Sequence, residues 1–100
     1  MPEVGGDERR RSPRAKLDQP VRVRPADSER PVEVQRTRDV SRSGFYFVTG
    51  SGHYYIGMRA CAVLGYKPED LFLRESLGEV VRIEKLSAET RGIAVRIVMR

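Results

Sequence analysis

An all-β domain, closed or nearly closed as a six-stranded antiparallel barrel with little or no helix, is the fold predicted by three observations. Apolar and polar residues alternate with period two in several short runs, turn residues separate those runs at short intervals, and helical periodicity is almost absent. At 100 residues the chain is long enough for one core without metal or disulfide support, and closure is the arrangement that best hides strand edges.

The elements follow in order. Residues 1–8, "MPEVGGDE", are short of large apolar groups and are expected to be a disordered tail ahead of a single domain over 9–100. Val21 and Val23 alternate with Arg22 and Arg24, and Val32 and Val34 alternate with Glu33 and Gln35, with the loop "PADSERP" between the two strands. "FYFVT" is dense in aromatic and β-branched residues and is broken by "GSGH". "YYIGMRACAVLGY" reads as a buried strand bent at Gly57, and "KPEDLFLRESLG" as a loop with a helical turn after Pro68. "EVVRIEKL" and "GIAVRIV" form a closing hairpin across "SAETRG", with Ile93, Val95 and Ile97 on one face. The chain ends almost as soon as this last strand ends, so neither a C-terminal helix nor an effector domain is expected within it, unless it is a piece of a longer protein.

Composition narrows the function. The lone cysteine, Cys61, lies in an apolar run and reads as a small buried hydrophobe, which favours a reducing, cytoplasmic setting. No segment approaches the roughly 18 apolar residues of a membrane span, and no signal peptide opens the chain. One Cys and one His cannot supply a closed zinc site, and no glycine-rich phosphate loop is present. Asp39, Ser41 and His53 make a triad only on paper, because nothing like a nucleophile elbow surrounds Ser41; the protein is not expected to be an enzyme, and no cofactor is expected.

The net charge of +5 is unevenly spread: residues 9–24 hold seven basic side chains against Asp18 alone. A localised basic stretch points to an anionic partner, although a solvated arm has the same composition. Further on stands "DVSRSG", in which Asp39 and Ser41 suit a turn and Gly44 suits a positive φ or a close approach to the backbone.

Together the two segments resemble the signatures of the bacterial PilZ domains, R-x-x-x-R followed by [D/N]-x-S-x-x-G. Here they are Arg10 and Arg14 in "RRSPR", and Asp39, Ser41 and Gly44 in "DVSRSG". The resemblance runs over roughly residues 8–98, through "GFYFVT", Gly57 and the closing hairpin. It implies a split-barrel type of β-barrel that binds cyclic di-GMP through Arg10, Arg14, Asp39, Ser41 and Gly44. It also implies that Arg9, just before the first motif, goes with a stacked pair of ligand molecules. The family's C-terminal helix is missing from the sequence.

The ligand's chemistry suits these residue types. Arginine's planar fork pairs two ways with phosphate or with guanine O6 and N7, while a carboxylate and a hydroxyl answer the N–H donors of the guanine edge. Residues 9–19 are therefore expected to act as a ligand-binding arm that orders on the barrel and signals through an effector protein. Two alternatives stand beside this reading. One is a small basic barrel that stacks single-stranded nucleic acid on Phe45, Tyr46, Phe47, Tyr54 and Tyr55; the other is a PilZ-like protein-interaction module that binds no nucleotide.

Overall fold

The computed structural model describes residues 18–100. Six strands, β1 Pro20–Pro25, β2 Glu33–Ser41, β3 Gly44–Thr49, β4 Arg59–Leu64, β5 Ser76–Lys85 and β6 Arg91–Met99, pair antiparallel throughout. They close in the order β1-β2-β3-β6-β5-β4, with β4 returning to β1. No helix occurs among the described residues. The expected six-stranded antiparallel barrel is the fold observed.

The core is built by alternation. Val21 and Val23 of β1, Phe45 and Phe47 of β3, Val80 of β5, and Ile93 and Val95 of β6 all point inward and are buried. Phe47 is the largest fully buried side chain; it stacks with Phe45 at 6.0 Å and meets the edge of Tyr54 at 5.6 Å. Ala60 and Ala62 of β4 are fully or almost fully buried, and their small side chains leave room for these rings.

Four local expectations change. In β2 the register opposes Glu33 to Val23 and Gln35 to Val21, so the polar pair turns inward and Val34 stands out beside Arg22. Compensation comes from hydrogen bonds: Tyr54 Oη donates to Glu33 Oε1 at 2.8 Å, Gln35 Nε2 donates to Oε2 at 2.8 Å, and the Thr49 hydroxyl donates to Oε2. Strand β4 starts only at Arg59: Gly57 takes a φ of +91°, and Tyr55 and Ile56 before this bend are exposed rather than buried. The residues after Pro68 make a turn closed by Asp70 N–H to the Lys67 carbonyl, not a helical turn, and Leu71 and Phe72 lie almost fully exposed. Cys61 is half-buried.

That loop is held down by charge. Arg24 grips Glu75 with two hydrogen bonds, Nε to Oε2 at 2.9 Å and Nη2 to Oε1 at 2.8 Å, while Arg22 reaches Oε2 at 3.4 Å. The bond from Arg24 lowers the Glu75 carboxyl below its usual value.

Gly44 has a packing role of its own. It sits opposite Arg96 where β3 first meets β6, and a Cβ there would run into the Val95 carbonyl oxygen and stand 3.2 Å from the Arg96 Cα. Its φ is not positive, so close approach of a neighbouring strand is the reason for glycine. Gly44→Ala is expected to destabilise the fold by about 1–3 kcal/mol in chemical denaturation, the usual cost of overpacking against a backbone that cannot yield.

Burial alone would raise the Glu33 carboxyl, but the hydrogen bonds from Thr49, Gln35 and Tyr54, with a contribution from Ser51, lower it below its ordinary 4.5. The stabilisation this group provides is therefore complete above the unfolded value and is lost as pH falls through the folded one. Denaturation midpoints should drop on the acid side of pH 4.5, and Glu33→Gln should flatten that limb while lowering stability at neutral pH.

Candidate functional site

The outer face of the barrel over β2, β3, β6 and β5 carries an open cleft of about 450 Å³. Its lining includes Asp39, Ser41 and Gly44, the three motif residues among those described, together with Tyr46, Arg82, Glu84, Ala94 and Arg96. Arg9, Arg10 and Arg14 lie outside the described residues.

What brings these side chains out is a pair of β-bulges. Thr37 opposes Phe47, yet Asp39 opposes Tyr46, so Arg38 is an extra residue in β2. Thr37 is buried; strict alternation would turn Asp39 inward with it, and the extra residue resets the phase. Asp39 and Ser41 consequently face outward, while Val40 packs against the core. The same slip occurs in β5, where Val80 opposes Val95 but Arg82 opposes Ala94, with Val81 extra. Arg82 and Glu84 turn out and Ile83 packs inward.

Asp39 and Ser41 belong to the end of β2 and Gly44 begins β3, so only Arg42 and Ser43 of the hexapeptide form the turn. The Ser41 hydroxyl supports it by accepting the Ser43 N–H at 3.3 Å, and the Ser43 carbonyl accepts the Ile97 N–H at 2.7 Å. Arg100 donates to the Arg42 carbonyl, tying the end of the chain to the same turn.

The floor is low because Gly44 and Ala94 carry little or no side chain. Gly92 accommodates Tyr46, whose phenol lies where a Cβ would be. Tyr46 Oη then donates to Glu84 Oε1 at 2.8 Å, and Arg82 Nε donates to Glu84 Oε2 at 3.1 Å. The Arg82 guanidinium lies over the Tyr46 ring, 5.9 Å from its centroid. Partial burial, and then the carboxylate of Glu84, raise the Tyr46 hydroxyl above its usual value. Arg96 is paired with Glu79 at 2.8 Å. Asp39 thus stands on one wall and the Arg82–Glu84 pair on the other, with Arg96 on β6 between them.

Sequence reasoning found Asp39, Ser41 and Gly44 but not Arg82, Glu84 or Arg96. The signal for the first two is the doublet Val80-Val81, which interrupts period two in "EVVRIEKL" and implies a bulge that reverses the faces beyond it. His53 lines a different cleft, of about 640 Å³, with Arg30, Tyr55 and Arg59, and shares no lining with Asp39 and Ser41. Of the five aromatics considered as a nucleic-acid platform, Phe45, Phe47 and Tyr54 are buried and cannot stack on bases. No group of three or more His, Cys, Asp or Glu capable of holding a metal occurs among the described residues, and no helix there is long and apolar enough to cross a membrane.

Comparison with known proteins agrees with this architecture. The PilZ domain family matches residues 8–100. Among solved structures, the fold is similar to the Bacillus subtilis inhibitor of motility MotI/DgrA, with a TM-score of 0.66 and 19% identity over 91% of this chain and 44% of that one. It is also similar to the PilZ domain with c-di-GMP of YcgR from Escherichia coli, with a TM-score of 0.59 and 17% identity over 90% of this chain and 78% of that one. The chain thus spans less than half the length of the MotI/DgrA structure, and at these identities the likeness is one of fold. No curated protein matches the sequence. With the family matched over nearly the whole chain, this protein belongs to the PilZ domains, a family of cyclic di-GMP receptors.

Proposed function

We propose that this PilZ domain is a cyclic di-GMP receptor whose N-terminal arm, residues 9–19, closes over the ligand on the cleft that holds Asp39, Ser41 and Gly44. Residues 1–8 form a tail ahead of the arm, and 9–100 are the functional domain. The observation that carries this reading is the outward placement of the whole second motif in one open cleft, with Arg82 on its far wall.

The route of the chain supports it. Asp18 is held by Arg36, whose Nε donates to Oδ1 at 2.5 Å, and the Gln19 carbonyl accepts the Thr37 N–H at 2.9 Å. Since β1 runs antiparallel to β2, following the chain backward from Pro20 leads along β2 toward Asp39. Arg14 is four residues before Asp18, a reach of about 14 Å when extended, and Arg10 is one such step further. In this reading the Arg10 and Arg14 guanidiniums take phosphate oxygens or the O6 and N7 edge of guanine. Asp39 accepts the N–H donors of a guanine, with Ser41 adding a hydroxyl. Gly44 keeps the floor beneath them low.

Magnitudes explain why both motifs are needed. A bidentate arginine contact is worth about 1–3 kcal/mol, and micromolar affinity requires about 8 kcal/mol, so two arginines fall short without the second motif. Arg9 is the residue we assign to a second, stacked ligand molecule. Output passes to an effector protein, a role in keeping with the motility inhibitor that shares the fold.

Calorimetric titration with cyclic di-GMP tests the assignment. The unmodified chain is expected to bind, with a stoichiometry of two ligands per chain that falls toward one in Arg9→Ala. Arg10→Ala and Asp39→Ala should each weaken binding at least tenfold. Equal binding by the unmodified chain and these last two variants would reject the site.

A further inference from the structure

The β5 wall of the cleft is built as carefully as the motif wall, although no part of either signature lies on it. The Val81 bulge turns Arg82 outward, and Glu84 then fixes two groups at once, accepting Tyr46 Oη on one oxygen and Arg82 Nε on the other. The guanidinium is thereby held over the Tyr46 ring by its Nε edge, and the Arg82 side chain remains 59% exposed. An exposed guanidinium, anchored at Nε and lying 5.9 Å from the centre of the Tyr46 ring, thus presents its planar group to the cleft. A flat aromatic group is what such a face receives, and arginine planes receive bases in this way.

We infer that Arg82, with Tyr46 beneath it and Glu84 positioning both, is a ligand-binding residue that stacks on the guanine of cyclic di-GMP that Asp39 does not hold. The inference rests on the receptor reading above and extends its contacts across the barrel. Asp39 on β2 and Arg82 on β5 are three inter-strand steps apart, about 14 Å, and their side chains both line the same cleft.

The test is titration of the full chain and its variants with cyclic di-GMP, with thermal unfolding as a check that each remains folded. Arg82→Ala should bind at least tenfold more weakly at an unchanged unfolding midpoint. Arg82→Lys, which keeps the charge and loses the plane, should remain at least fivefold weaker. Arg30→Ala, in the β1–β2 loop away from the cleft, should bind like the unmodified chain. Recovery of full affinity in Arg82→Lys would overturn the stacking role in favour of a simple charge contact, and full affinity in Arg82→Ala would remove Arg82 from the site while leaving the receptor reading intact. Absence of binding by the unmodified chain would instead overturn the receptor reading on which this one depends.

Discussion

Parity governs this barrel. Along any strand, inside and outside alternate, so one residue decides the face of every residue after it. The extra residues Arg38 and Val81 each reverse that parity once, in strands on opposite flanks of the β3–β6 pair. Without them Asp39, Ser41, Arg82 and Glu84 would point into a core filled by Phe45, Phe47, Val80 and Ile93, where unpaired charges are far too costly to keep. With them, Val40 and Ile83 fill the inward positions and the polar groups converge on one outer cleft.

The pair between the bulges is shaped to leave that cleft open. Gly44 lets β3 come hard against the Val95 carbonyl, Ala94 adds only a methyl, and Gly92 gives its place to the Tyr46 phenol. Behind this thin floor the aromatic packing of Phe45, Phe47 and Tyr54 supplies rigidity. The hydroxyl of Tyr54 carries the same order to the other end of β2 through Glu33, where Gln35 and Thr49 complete the set of donors. Core and site are therefore two faces of the same strands.

Much of this was legible in the residues themselves. "FYFVT" and "GIAVRIV" obey period two and form the strands they predict, and the order of six strands follows from turn residues between them. The second motif was visible because an acid, a hydroxyl and a glycine at fixed spacing are recognisable without knowing where they point. Parity was harder to read. Glu33 and Gln35 looked outward because they are polar, yet the partner strand's register sets them inward and three hydrogen bonds make that tolerable. Tyr55 and Ile56 looked buried because they are apolar, yet the bend at Gly57 carries them to the surface. Arg82 and Glu84 were hidden for the same reason: their direction depends on a bulge whose only trace is a valine doublet.

In the proposed complex, bound cyclic di-GMP bridges the two bulged walls and the arginine arm. Backbone amide shifts recorded during titration with cyclic di-GMP test it most directly. Concerted shifts are expected in three separate segments, Arg9 to Arg14, Asp39 to Gly44 and Arg82 to Glu84, with the Arg30 and His53 cleft unmoved. Shifts confined to the arm, or centred on the Arg30 and His53 cleft, would contradict it.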